Sequence, residues 1–116
     1  MGDVHIIQEK ELSASRAMII LTGRVTAVNA GEIKEYLNEV IGRGRHELLF
    51  DLSGITFLDS SGLAVFVSAL KKTREAGGWL KLAALSEIPG TIFKLTCLDQ
   101  VIDMYPDVES ALLSAD

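Results

Sequence analysis

Apolar residues follow two rhythms along this chain, and the switches between them outline its elements. Val4 to Gln8 and Arg16 to Thr22 are short apolar stretches rich in β-branched residues, separated by the polar segment Glu9 to Ser15. They read as two strands joined by a hairpin connection. From Asn29 the spacing changes: Ile33, Tyr36, Leu37, Val40 and Ile41 recur at helical intervals, and Gly42 and Gly44 stop the run. His46 to Leu52 contains Leu48, Leu49 and Phe50 without alternation, the pattern of a strand covered on both faces.

Leu63, Phe66, Val67 and Leu70 then give an i, i+3, i+4, i+7 stripe. This predicts a second helix that buries those four side chains. Lys71, Lys72 and Arg74 suit its negative end, and Gly77-Gly78 terminates it. Trp79 to Ala84 reads as a further strand, Pro89 to Leu98 as a third helix with proline near its first turn, and Val101 to Met104 as a last short strand. Val108, Ala111 and Leu112 mark a terminal helix. Strands alternating with helices of this size require right-handed crossovers and a largely parallel sheet, an α/β fold.

With 116 residues, residues 1–116 make one domain, long enough to bury about two-thirds of the surface that its unfolded form exposes. A hydrophobic share of 48% against 23% charged is that of a globular protein and too apolar for a disordered one. The net charge of −5 argues against nucleic acid or an anionic membrane as partner, since both need a concentrated basic patch. Arg43, Arg45 and His46, the nearest thing to one, flank glycines in a solvated loop. Cys97 is the single cysteine, so no internal disulfide forms and a reducing cytoplasm fits. The first residues carry no signal-peptide pattern, and no run approaches the ~18 apolar residues of a membrane span.

Several chemistries lack their residues. Gly42-Arg43-Gly44-Arg45 has neither the spacing nor the lysine of a phosphate-binding loop, and the serine at 60 lacks the preceding glycine of a nucleophile elbow. His5 and His46 fall on separate predicted strands with no reason to converge on it. Asp51, Asp59, Asp99 and Asp103 sit near predicted strand ends or loops without a motif that fixes a metal geometry. No catalytic residue, metal site or cofactor is therefore expected. Cys97 reads as a small buried hydrophobe, and Met18 and Trp79 as core or edge packing.

What remains is Asp59-Ser60-Ser61-Gly62, between a strand and a helix. A seryl hydroxyl at a helix start can cap the orphan backbone N–H groups, or can carry a phosphate on a ready-made anion site. On residue types alone capping is the better of the two. The helix behind it shifts the balance: Gly62 to Leu70 holds no charge, and beyond its inward stripe it places Ala64, Val65, Ser68 and Ala69 on the other side. Such a patch is covered either by a second layer of the protein or by a partner.

Phe50-Asp51-Leu52-Ser53-Gly54-Ile55-Thr56-Phe57-Leu58-Asp59-Ser60-Ser61-Gly62-Leu63-Ala64-Val65 resembles the signature of the STAS domain of bacterial anti-sigma factor antagonists, and Thr22-Gly23-Arg24-Val25 is similar to that family's early strand-end motif. The resemblance covers nearly the whole chain. It implies a mixed, mostly parallel sheet with helices packed largely on one face, and a phosphorylatable serine at the start of the second helix. By position Ser60 is the phosphoacceptor, Asp59 its acidic neighbour, and Ser61 and Gly62 the rest of a docking turn. The partners implied are an anti-sigma factor that is also a serine kinase, and a serine phosphatase that reverses the mark. The chain departs from the family at Thr26, where an acidic residue is common, and binding should survive that change better than phosphorylation. An alternative is a STAS subunit of a lipid-transport ATPase or a signalling scaffold, with the same helix face as a permanent interface. An independent enzyme using Asp59 and Ser60 is disfavoured, because no base, metal or cofactor motif accompanies them.

Overall fold

The computed structural model describes residues 6–114. Strand β1, Ile6–Glu11, pairs antiparallel with β2, Arg16–Val25, and β2 pairs in parallel with β3, Glu47–Leu58. Strands β4, Trp79–Ala83, and β5, Asp103–Tyr105, continue the parallel part, so the sheet order is β1-β2-β3-β4-β5. The connections are helices α1, Ala30–Gly42, α2, Ser60–Glu75, and α3, Glu87–Leu95, the last followed by a 3-10 turn over Leu98–Gln100. Helix α4, Val108–Leu113, ends the fold.

The unbroken apolar run of β3 is explained by cover on both sides. Leu48, Phe50 and Leu52 join Ala17, Ile19, Leu21, Leu80 and Leu82 beneath α1, α2 and α3, whereas Leu49 packs with Ala83 and with Ala111 of α4 on the opposite face. Three helices thus share one face and a single short one lies on the other. Phe66 of α2 ties the larger layer together, with Phe50 of β3 and Phe93 of α3 edge-on at 5.4 and 6.0 Å between ring centres.

Several boundaries differ from the sequence expectation. Val4 and His5 lie outside the described residues, and β1 runs on to Glu11 through residues expected to be connection. β3 continues six residues beyond Leu52, where the expected strand stops, through Ser53-Gly54. A β-carbon at Gly54 would lie 2.5 Å from Cγ2 of Thr22, so this glycine lets the two strands approach where their register shifts, and it ends neither. Helix α3 starts at Glu87, two residues before Pro89, and stops at Leu95. Cys97 is exposed rather than buried, in a left-handed turn with φ of 61°.

Candidate functional site

Strands β2, β3 and β4 run in parallel, so the loops that follow them gather at one edge of the sheet. The middle loop is Asp59 alone. Its extended backbone breaks from β3, and its Oδ1 accepts the Gly62 N–H at 2.9 Å, which makes Asp59 the N-cap of α2. The other oxygen, Oδ2, accepts the Ala27 N–H of the β2–α1 loop at 3.0 Å. The Gly62 bond above all, joined by weaker backbone bonds including that from Ala27, outweighs desolvation and holds the Asp59 carboxyl below the ordinary aspartate range.

The first helical position falls to Ser60. Its side chain is exposed, and its hydroxyl has no hydrogen-bond partner among the described residues. Capping, which the residue types favour for the serine, falls to its neighbour: the aspartate caps and the serine stands free. Ser61 is half-buried beside it. Gly62 is buried, and a β-carbon there would meet the Val25 carbonyl oxygen at 2.3 Å, so its role is to let the helix start press onto the end of β2.

The face of α2 is rotated from the expected one. Ala64 is exposed and Ser68 half-buried, as a surface requires, but Val65 is only 2% exposed and Ala69 only 3%. Val65 belongs to the core, at the seam where α2 packs on α1, and is withdrawn from the contact surface. Val67, expected inward, is 42% exposed. The reason is the close seating of Gly62: with residue 62 against β2, residues 66, 69 and 73 follow on the buried side one, two and three turns later. A shallow recess of about 220 Å³ remains between the two helix starts, walled by Ala30, Gly31, Lys34, Ser61 and Ala64 over Val65. A larger hollow between α3 and β5, walled by Lys94, Met104 and Tyr105, includes none of the expected site residues.

Two exposed apolar residues flank the site on the adjoining loops and were absent from the sequence expectation. Val28 in the β2–α1 loop is 79% exposed, and Ile88 at the start of α3 is 62% exposed. A large apolar residue in the short stretch between the end of a parallel strand and the first turn of the next helix, at the same sheet edge as the serine, is the signal that would have found them. Thr26, which stands where the family commonly has an acidic residue, is buried, and its Oγ1 accepts the Val28 N–H at 3.3 Å. It braces its loop and brings no charge to Ser60. Among the described residues no group of three or more His, Cys, Asp or Glu could hold a metal ion, and no helix is long and apolar enough to cross a membrane.

Residues 9–111 match the STAS domain family. The chain belongs to the STAS anti-sigma factor antagonists. It is 32% identical over 98 residues to the anti-sigma-B factor antagonist of Listeria monocytogenes, an alignment spanning 84% of this chain and 86% of that one. Among solved structures, an anti-sigma factor antagonist from Mycobacterium paratuberculosis superposes with a TM-score of 0.82 at 22% identity, over 92% of this chain and 90% of that one. SpoIIAA of Bacillus in its phosphorylated form gives a TM-score of 0.73 at 18% identity, over 92% and 96%. These two likenesses are of fold.

Proposed function

We propose that this STAS domain is an anti-sigma factor antagonist whose binding is switched at Ser60. Unmodified, it docks through the start of α2 onto an anti-sigma factor that is also a serine kinase, and so frees a sigma factor. Phosphate on Ser60 ends the complex, and a serine phosphatase restores it. The setting is the cytoplasm. The observation that carries this reading is the division of labour at the helix start: Asp59 takes the cap, and Ser60 presents an exposed hydroxyl with no internal bond to surrender. A serine that capped the helix would lose that bond on modification; this one loses nothing.

The electrostatics favour the same direction. A phosphate adds about −1.5 to −2 charges directly beside the Asp59 carboxylate. The helix start tolerates them in water through its backbone N–H groups, but docking would strip solvent from both anions together. Ser60, Ser61 and Ala64, with Ser68 one turn further, form the contact face, and Asp59 supports it.

Incubation with the cognate anti-sigma kinase and ATP, followed by mass spectrometry of the digest, tests the reading. Phosphate is expected on Ser60 alone. Phosphate on Ser61 or Ser53, or no transfer to a chain that binds the kinase, overturns the switch.

A further inference from the structure

Asp59 does more than cap α2. The β2–α1 loop satisfies nearly all of its backbone donors internally: the Thr26 N–H goes to Asn29 Oδ1 at 2.9 Å, the Val28 N–H to Thr26 Oγ1, and the Asn29 and Ala30 N–H groups to the Thr26 carbonyl at 3.1 and 2.8 Å. Asn29 also donates from Nδ2 to the Arg24 carbonyl at 2.8 Å. The loop is therefore a rigid unit, and one donor in it is satisfied from outside. That donor is the Ala27 N–H, held by Asp59 Oδ2. The residue next to it is Val28, the exposed apolar side chain of the loop.

We propose that Asp59 is a positioning residue, which fixes the Thr26–Asn29 loop against the start of α2 so that Val28 and Ser60 meet an anti-sigma factor as one preset surface. This rests on the antagonist role proposed above. Two oxygens on one carboxylate serve two elements, one each, and at the exposed Ala27 a bond to an ionised acceptor is stronger than the neutral bond to water that would replace it. If that oxygen is lost, Asn29 still holds the base of the loop to β2, but the exposed Ala27-Val28 tip loses its tie to α2 and the apolar knob is no longer fixed beside the serine. A side chain fixed in its bound position before encounter loses less freedom on docking.

The test separates the two jobs of the carboxylate. Asp59→Asn keeps a good N-cap through its single amide oxygen but turns an N–H group towards Ala27, and Asp59→Ser keeps a cap too short to reach the loop. In the isolated domain both variants should leave α2 protected and speed hydrogen exchange at the Ala27 amide by about tenfold or more. Affinity for the cognate anti-sigma kinase, measured by titration calorimetry with Ser60 unmodified, should fall about tenfold. Val28→Ala should weaken the wild-type complex yet change the Asp59→Asn complex little, because the knob is no longer placed. Unchanged exchange at Ala27, or equal losses from Val28→Ala in both backgrounds, overturns the inference and leaves the antagonist reading standing. A wild-type domain that binds no anti-sigma kinase overturns that reading and the preset surface with it.

Discussion

The α-carbon of Gly62 lies so close to the Val25 carbonyl oxygen that a β-carbon there would fall 2.3 Å from it, with Leu58 Cδ2 at 3.2 Å on another side. Two effects oppose each other at such a position. Alanine in a helix is ordinarily better than glycine by about 1 kcal/mol. Here the backbone oxygen cannot move without disturbing Asp59, whose own N–H it accepts at 3.3 Å. Overpacking should win, and Gly62→Ala should destabilise the domain by about 1–3 kcal/mol in urea unfolding. A variant more stable than wild type would show that α2 can slide outward at little cost.

Val65 and Ala64 are neighbours in sequence and opposites in the fold, one 2% exposed and the other open to solvent. Val65→Glu buries a carboxylate without a partner and should lower stability on the order of 3 kcal/mol or more, an effect visible before any binding is measured. Ala64→Glu should stay within about 0.5 kcal/mol of wild type, yet weaken the anti-sigma complex at least tenfold, because its charge would be desolvated on docking. Thermal unfolding and calorimetry on the same two proteins decide the matter. Intact binding by Ala64→Glu would move the interface off this face.

The contrast between those residues marks how far the sequence carries. Periodicity finds α2 and its length, but Gly62 to Leu70 is apolar on every side, so no polar stripe is present to say which residues point outward. Its rotation is set by one contact, Gly62 on Val25, between residues 37 positions apart, and no local pattern encodes that. The β3 extension hides for a related reason: Ser53-Gly54 has turn chemistry, and only the neighbouring Thr22 shows why a glycine belongs in the strand. The order of strands and helices was legible, because buried parallel strands and amphipathic helices differ over short windows. So was the motif, although which of Asp59 and Ser60 caps the helix required the bond lengths.

Acid should loosen this fold in a narrow window. The Gly62 and Ala27 N–H groups depress the Asp59 carboxyl, and the Ser110 N–H at 2.7 Å depresses that of Asp107, the cap of α4. For Glu9, partial burial pushes upward, but the Tyr36 hydroxyl and the Arg43 guanidinium together push further down. Carboxyls with depressed folded values bind protons less readily than in the unfolded chain. Their contribution is present above the unfolded values near about 4 and is lost as pH falls through the lower folded ones. The urea midpoint should be flat from about pH 7 to 5 and decline below about pH 4. Asp107→Asn, which keeps a cap without the charge, should make that decline shallower. An equally steep decline in the variant would assign the acid response to other groups.

The decisive comparison is between two substitutions at Ser60. Ser60→Asp adds a negative charge at the first position of a helix, where the backbone N–H groups accept it, so the isolated domain should remain folded and within about 1 kcal/mol of wild type. Against the anti-sigma kinase the added carboxylate must be desolvated beside Asp59, and affinity should fall on the order of 2 kcal/mol, roughly thirtyfold. Ser60→Ala removes a hydroxyl that makes no internal bond, so both stability and affinity for the kinase should match wild type. The two also differ in their response to ATP. Wild-type complex should dissociate as Ser60 is phosphorylated, whereas the Ser60→Ala complex should persist. Equal affinities for the aspartate and alanine variants would remove the electrostatic switch and leave Ser60 as one exposed residue of an ordinary helix start.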